Sequence, residues 1–181
     1  EYSLKSFNRP VVYLLLLTAK LAHGFVEPLN TYFAEAFTIP NGSMIPSLLP
    51  GDQIYAMKWS YTGELPKKGH VVVYKLPGNE EQLYLHRVVG LPGDTVEFRN
   101  NALYVNGVSV EQEVLEKQAF LNRGIHGEWF SFEGSIIAEK HNEIKSPIVQ
   151  VQEFSNFDYG PITVQENHFF VLGDNRGLAR D

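Results

Sequence analysis

The chain has 181 residues, 44% hydrophobic and 20% charged, with a net charge of -6. That size suits one domain, or one domain with a sizeable insertion, and is enough to bury a real core. The acidic balance argues against a nucleic-acid surface, which needs clustered Lys and Arg to neutralise phosphates. Cysteine is absent and the six His are scattered without a His-Glu-x-x-His pattern, so no zinc-ligand spacing exists.

The first residue is Glu rather than Met, so an upstream stretch is expected. Val11 to Val26 is the segment that can meet a membrane. Its start, Val11-Val12-Tyr13-Leu14-Leu15-Leu16-Leu17, is strongly apolar, but Lys20 and His23 interrupt the second half. A span needs about 20 mainly apolar residues, so taken alone this stretch fits a marginal span and a buried or amphipathic helix equally well. Lys20 is long enough to snorkel to an interface. Lys5 and Arg9 precede the run, and Glu27 and Glu35 come after it. The positive-inside rule then puts the N-terminal end in the cytoplasm and everything after about residue 30 outside. A cleaved leader is disfavoured, because Ala34-Glu35-Ala36 lies too far beyond the apolar run.

Pro40 and Asn41-Gly42 end the helical pattern, and the chain then reads as β. Gln53 to Lys58, His70 to Lys75 and Tyr84 to Val89 are runs rich in β-branched and aromatic residues. Pro50-Gly51, Pro66 to Gly69, Pro77-Gly78 and Pro92-Gly93 separate them. Thr95 to Arg99 and Ala102 to Val105 flank Asn100-Asn101, a two-residue hairpin turn, and Asn106-Gly107 offers another. Glu111 to Asn156 is polar, turn-rich and poor in long apolar runs, which suggests an inserted subdomain. Strand-like sequence returns at Pro161, with His168 to Leu172 running into Gly173-Asp174-Asn175-Arg176. Many short strands with regular turns predict a mainly β, antiparallel fold.

Ser43 stands in a Pro- and Gly-rich loop, where its hydroxyl can clear the sheets. A serine is a poor nucleophile unless a base lies within hydrogen-bond reach. The Ser43 N–H and the Asn41 side-chain amide are placed in sequence to stabilise an oxyanion, although a turn role alone would also explain Asn41. Lys58, Lys75 and His86 each lie in or at the end of a β run, and composition does not choose among them. Alternation along its strand puts His86 on one face with Tyr84 and Val88. His70 begins a strand after Gly69 and reads as a surface or turn residue.

Four ordered segments then carry a resemblance. Ile39 to Asp52, Lys68 to Tyr74, Arg87-Val88-Val89-Gly90-Leu91-Pro92-Gly93-Asp94 and Gly173-Asp174-Asn175-Arg176 together resemble type I signal peptidase, from about residue 37 to the end. The resemblance implies a membrane-bound serine endopeptidase that removes signal peptides from exported preproteins, with a mostly antiparallel β catalytic domain on the outer face of the cell membrane. It implies an N-terminal helical membrane anchor at 1–35, a catalytic domain at 36–108 and 157–181, and a β-rich insertion at 109–156. Substrates would carry small residues at the first and third positions before the cut, in pockets lined by Ile39, Met44 and Leu85. Asp174 and Arg176 would be structural residues near the site. No metal or organic cofactor is implied, the partners are preprotein signal peptides and the lipid bilayer, and further subunits stay unassigned.

Departures from the family pattern bear on the chemistry. Bacterial members carry lysine where His86 stands, whereas endoplasmic-reticulum and archaeal forms have His followed by Arg. Asn41 replaces a serine that contributes an oxyanion donor. Ala179 stands where a lysine-contacting serine is usual, while Asp181 matches an expected aspartate. The set is consistent with a changed base: Ser43 as nucleophile, His86 as general base and later acid, and Asp181 as the carboxylate that orients it, with Asp174 as the alternative. A second reading is a catalytically inactive homologue serving as a membrane-attached binding or assembly component. A third is a processing protease dedicated to one partner.

Overall fold

The computed structural model describes residues 18, 20, 34–58, 63–100, 102–124, 127–151 and 158–177. Of the expected anchor at 1–35, only Thr18 and Lys20, both helical and exposed, and Ala34 and Glu35 are among the described residues. Ala179 and Asp181 lie outside them. Among the described residues no helix is long and apolar enough to cross a membrane.

The described strands begin with β1 (Ala34–Thr38), β2 (Gln53–Met57), β3 (Val71–Leu76), β4 (Asn79–Gly90), β5 (Thr95–Arg99) and β6 (Ala102–Val105). They continue with β7 (Val108–Ser109), β8 (Glu111–Arg123), β9 (Trp129–His141), β10 (Ile144–Gln150), β11 (Tyr159–Thr163) and β12 (Phe170–Leu172). The fold is mainly β, as the spacing of turn signals implies. One difference appears at the start: Ala34 and Glu35, expected to close the helical region, already belong to β1.

Two compact units divide the chain: Glu1–Phe37 with Ile54–Glu64, and Thr38–Gln53 with Leu65–Asp181. In the first, Lys58 Nζ lies 2.9 Å from the Glu35 carboxylate across the β1–β2 sheet. The second holds three sheets, ordered β12-β4-β3, β11-β5-β6-β7 and β10-β9-β8, with antiparallel pairing. Arg99 pairs Ala102 across Asn100, whose φ of 48° is the left-handed value that Asn tolerates. Val105 pairs Val108 across Asn106-Gly107 in the same way. Both turns fall where the sequence predicts them.

The region from 111 onward, polar and turn-rich in sequence, is built of strands, as a β-rich insertion implies. It contains β8 and β9, the longest strands described, at 13 residues each. β8 buries Phe120 and Asn122 and exposes most of its other residues, so it carries little of the apolar alternation that marks a strand in sequence. One core joins Ile45 to Phe120, Ile136, Val149 and Val151, and so packs the loop that carries Ser43 against the β8–β10 sheet. A second joins Val89, Val96, Leu103, Val164 and Leu172 between the other two sheets.

The segment after β12 ties these parts together. Val149 N–H donates to Asp174 O at 2.8 Å, and Arg176 N–H donates to Val149 O at 2.9 Å. Arg176 also reaches the wholly buried Glu139 on β9 through Nη1 and Nη2, with Gln112 Nε2 2.8 Å and His141 Nε2 3.3 Å from the same carboxylate. Burial alone would raise the Glu139 pKa. The Arg176 charge, with His141 and Gln112, overcomes this and lowers it from 4.5 to about 2. Because the folded pKa lies below the unfolded one, the stability it contributes is full above pH 4.5 and is lost as pH falls toward about 2. Converting the shift gives on the order of 3 kcal/mol. Glu139→Gln should therefore be less stable than wild type at pH 7, with the gap narrowing at pH 3. Urea unfolding at the two pH values measures it, and an equal gap at both would refute the linkage.

Candidate active site

The loop from Ile39 to Asp52 is closed at its base by backbone hydrogen bonds. Ile39 N–H donates to Asp52 O at 2.9 Å, and Gly51 N–H donates back to Ile39 O at 2.8 Å. Met44 and Ile45 are wholly buried and pin the middle of the loop. Ser43, between them and Asn41, is half-buried. Its N–H donates to Asn41 Oδ1 at 3.1 Å. Asn175 holds the loop from behind, its own N–H donating to Ser43 O at 3.0 Å and its Nδ2 to Gly42 O at 2.9 Å. Three hydrogen bonds to the loop backbone thus fix the position of Ser43.

His86 reaches the same place from β4. It is almost fully buried, and its Nδ1 lies 2.9 Å from the Tyr74 hydroxyl. The register explains the contact. Val72 pairs His86 and Tyr74 pairs Tyr84, so Tyr74, Tyr84 and His86 share one face of the sheet. Ring centroids separate His86 from Tyr74 by 5.9 Å and from Tyr84 by 6.4 Å.

Arg87, the next residue, points to the other face and into a buried ion pair. Its Nε donates to Asp174 Oδ1 at 2.8 Å and its Nη2 to Oδ2 at 2.6 Å, while Nη1 donates to Gly69 O at 2.7 Å. Ser47 bridges Arg87 Nη2 and Asp174 Oδ2. One tripeptide, Asp174-Asn175-Arg176, therefore ties down the strand of His86, the loop of Ser43 and the β8–β10 sheet. Asp94 does similar work beneath Gly93, whose φ is 86°. Its carboxylate takes the Leu91 N–H, Asn106 Nδ2 and Lys68 Nζ at 2.7, 2.7 and 2.8 Å. Although burial would raise its pKa, the Lys68 and amide contacts lower it.

Ser43 and His86 line one groove of about 640 Å³. Ile39, Asn41 and Leu85, each predicted for the site, line it too. Met44, expected to line a substrate pocket, is wholly buried and is not among this groove's lining residues. Its buried neighbour Ile45 shows the reason, since this part of the loop is anchored in the core rather than presented to solvent. Lys58 pairs with Glu35 in the first unit, and Lys75, exposed on β3, is not among the groove's lining residues. The β8–β9 hairpin lines the groove as well, through Asn122, Arg123, Gly124, Glu128 and Phe130.

A family model described as signal peptidase, peptidase S26, matches residues 12–181. The chain belongs to the signal peptidase family. Signal peptidase I of Pseudomonas fluorescens is 31% identical over 194 residues, covering 100% of this chain and 61% of the relative. Signal peptidase I P of Bacillus subtilis subsp. natto is 30% identical over 154 residues, covering 84% of this chain and 68% of the relative. Signal peptidase IB of Staphylococcus aureus strain N315 is 30% identical over 151 residues, covering 83% and 68%. The chain spans about three-fifths of the length of the Pseudomonas relatives it matches.

Within this signal peptidase relative, sequence reasoning missed Tyr74, Asn122 and Asn175. Tyr74 was detectable in principle, because pairing the runs at 70–75 and 84–89 as neighbours puts an aromatic beside His86. Asn175 lies inside the Gly-Asp-Asn-Arg motif, but its partners are about 130 residues away in sequence. Asn122 left no sequence signal. Asp181, expected to orient His86, lies outside the described residues.

Proposed function

We propose that the protein is a membrane-bound serine endopeptidase that removes N-terminal signal peptides from exported preproteins after small-x-small sites. Ser43 attacks the scissile carbonyl, and His86 accepts its proton and later returns it to the leaving amine. The observation that carries this reading is the shared groove of Ser43 and His86 beside an open strand edge. Among the described residues β12 pairs with β4 only at Arg87, Val88 and Gly90, and Gln82 to Leu85 line the groove. An extended substrate can add to that edge as a strand, its main chain held by ladder hydrogen bonds and alternate side chains received by Ile39 and Leu85.

With Tyr74 accepting from Nδ1–H, Nε2 is the nitrogen for the Ser43 hydroxyl. Asp181 is the carboxylate proposed for stabilising the imidazolium. Asn41 Nδ2 is proposed as the oxyanion donor, joined by the Ser43 N–H once substrate displaces its bond to Asn41 Oδ1. The anchor at 1–35, the insertion at 109–156, the bilayer as partner and an outward-facing catalytic domain belong to the same proposal. Purified protein in detergent should cleave a peptide with Ala at both specificity positions, and Ser43→Ala should lower this by about 10⁴-fold or more. Undiminished cleavage by the variant would sink the assignment.

One observation favours the second reading, an inactive homologue that binds without cutting: the Ser43 N–H is engaged by Asn41. Absence of cleavage by wild type, with His86→Lys gaining it, would decide for that reading.

A further inference from the structure

We infer that Asn122, on the inserted hairpin, is a substrate-binding residue that donates its side-chain amide to the main chain of a peptide in the groove. The inference rests on the extended-peptide reading of the site. Asn122 is, with Phe120, one of the two buried residues of β8. Phe120, two residues earlier on the same face of β8, packs into the core with Ile45. The next position on that face calls for an apolar side chain, yet it holds an amide that is 5% exposed. A buried amide costs stability unless its polar atoms are used. Such a local exception is the mark of a functional position.

The amide has one end fixed and one end to offer. Oδ1 accepts the Arg123 N–H at 2.7 Å, which leaves the two Nδ2 protons to donate into the groove that Asn122 lines. Its place beside the Ser43 loop is tight. A Cβ added at Gly42 would come 2.0 Å from Asn122 Oδ1 and 2.6 Å from Cγ, so glycine before Ser43 is what makes room for this side chain. A peptide laid along β4 satisfies the hydrogen-bonding groups of one edge only. The groups of its other edge face across the groove and need partners there. Asn122 supplies donors for a carbonyl at that side.

Two variants test this in the full chain. Asn122→Ala removes the amide. Asn122→Asp keeps the volume and still accepts the Arg123 N–H, but presents an acceptor where a donor stood. Both should keep the melting temperature within a few degrees of wild type. Both should lower kcat/KM by about five- to tenfold on long peptides, mainly through KM. The loss should vanish once the peptide is shortened, from one end or the other, past the residue whose carbonyl Asn122 meets. A loss of equal size on every length, or none on any, overturns the inference while cleavage by wild type keeps the protease reading. A binding arm separates the two ideas. In the Ser43→Ala background the uncut long peptide should bind about five- to tenfold more weakly when Asn122→Asp is added. If wild type cuts nothing but that difference persists, the protease reading falls and the Asn122 contact stands.

Discussion

His86→Ala should lower kcat/KM for an Ala-x-Ala peptide by about 10²- to 10⁴-fold, the range that a positioned general base contributes. His86 is almost fully buried, so circular dichroism and melting must show that the variant folds before its rate is read. The pH profile is the sharper measurement. A histidine base works in its neutral form, so wild-type activity should rise with pH as the ring loses its proton. The residual activity of the variant should lack that limb. A limb found only above about pH 8 would instead assign the base to a lysine, with Lys58 and Lys75 the candidates. Tyr74→Phe belongs in the same series. It deletes the 2.9 Å contact to Nδ1, which in the proposed mechanism leaves Nε2 for Ser43. A neutral hydroxyl stabilises the imidazolium less than a carboxylate, so the expected loss is only about tenfold.

The local parts of this site are legible in the sequence and the distant ones obscure, for a physical reason. Turn chemistry and alternation are written in adjacent residues, so the Asn100 and Asn106 hairpins and the face shared by Tyr84 and His86 can be read directly. Ser43, Asn41, Ile39 and Leu85 reach the groove because two short segments meet there. Long-range pairing is not written locally. Nothing near Asn175 announces that its amide holds Gly42, and nothing near Asn122 announces that β8 carries it to the same loop. The β8–β10 sheet reads as turn-rich because a strand exposed along most of its length has no need of regular apolar alternation. Met44 falls in the core rather than the pocket because adjacency to Ser43 in sequence says nothing about which side of a loop faces inward.

Arg87→Ala should destabilise the fold by about 3 to 5 kcal/mol, because it leaves the Asp174 carboxylate buried without its counter-charge. For a domain of this size that corresponds to a melting temperature lower by about 6 to 20 °C. The geometry explains why the cost is at the upper end. Asp174 is wholly buried and takes two guanidinium hydrogen bonds, while the same arginine satisfies Gly69 O. Lysine keeps the charge but lacks the planar fork, so Arg87→Lys should recover part of the stability and not all of it. Asp174→Asn should behave differently from either. It removes the negative charge and strands the buried guanidinium, although the amide oxygen can still accept one of its bonds. Double-mutant analysis of Arg87→Ala with Asp174→Asn should give a coupling of several kcal/mol. A coupling below about 0.5 kcal/mol would mean that the two side chains act independently. Activity should fall with stability, but it should also fall in the part of the molecules that stays folded. Arg87 comes directly after His86 on β4, and Asp174 precedes the residue that holds the Ser43 loop. This ion pair is therefore the shared anchor of the Ser43 loop and the His86 strand. Loosening it should lower kcat at temperatures well below the melting transition, where a purely global stabiliser would leave kcat unchanged.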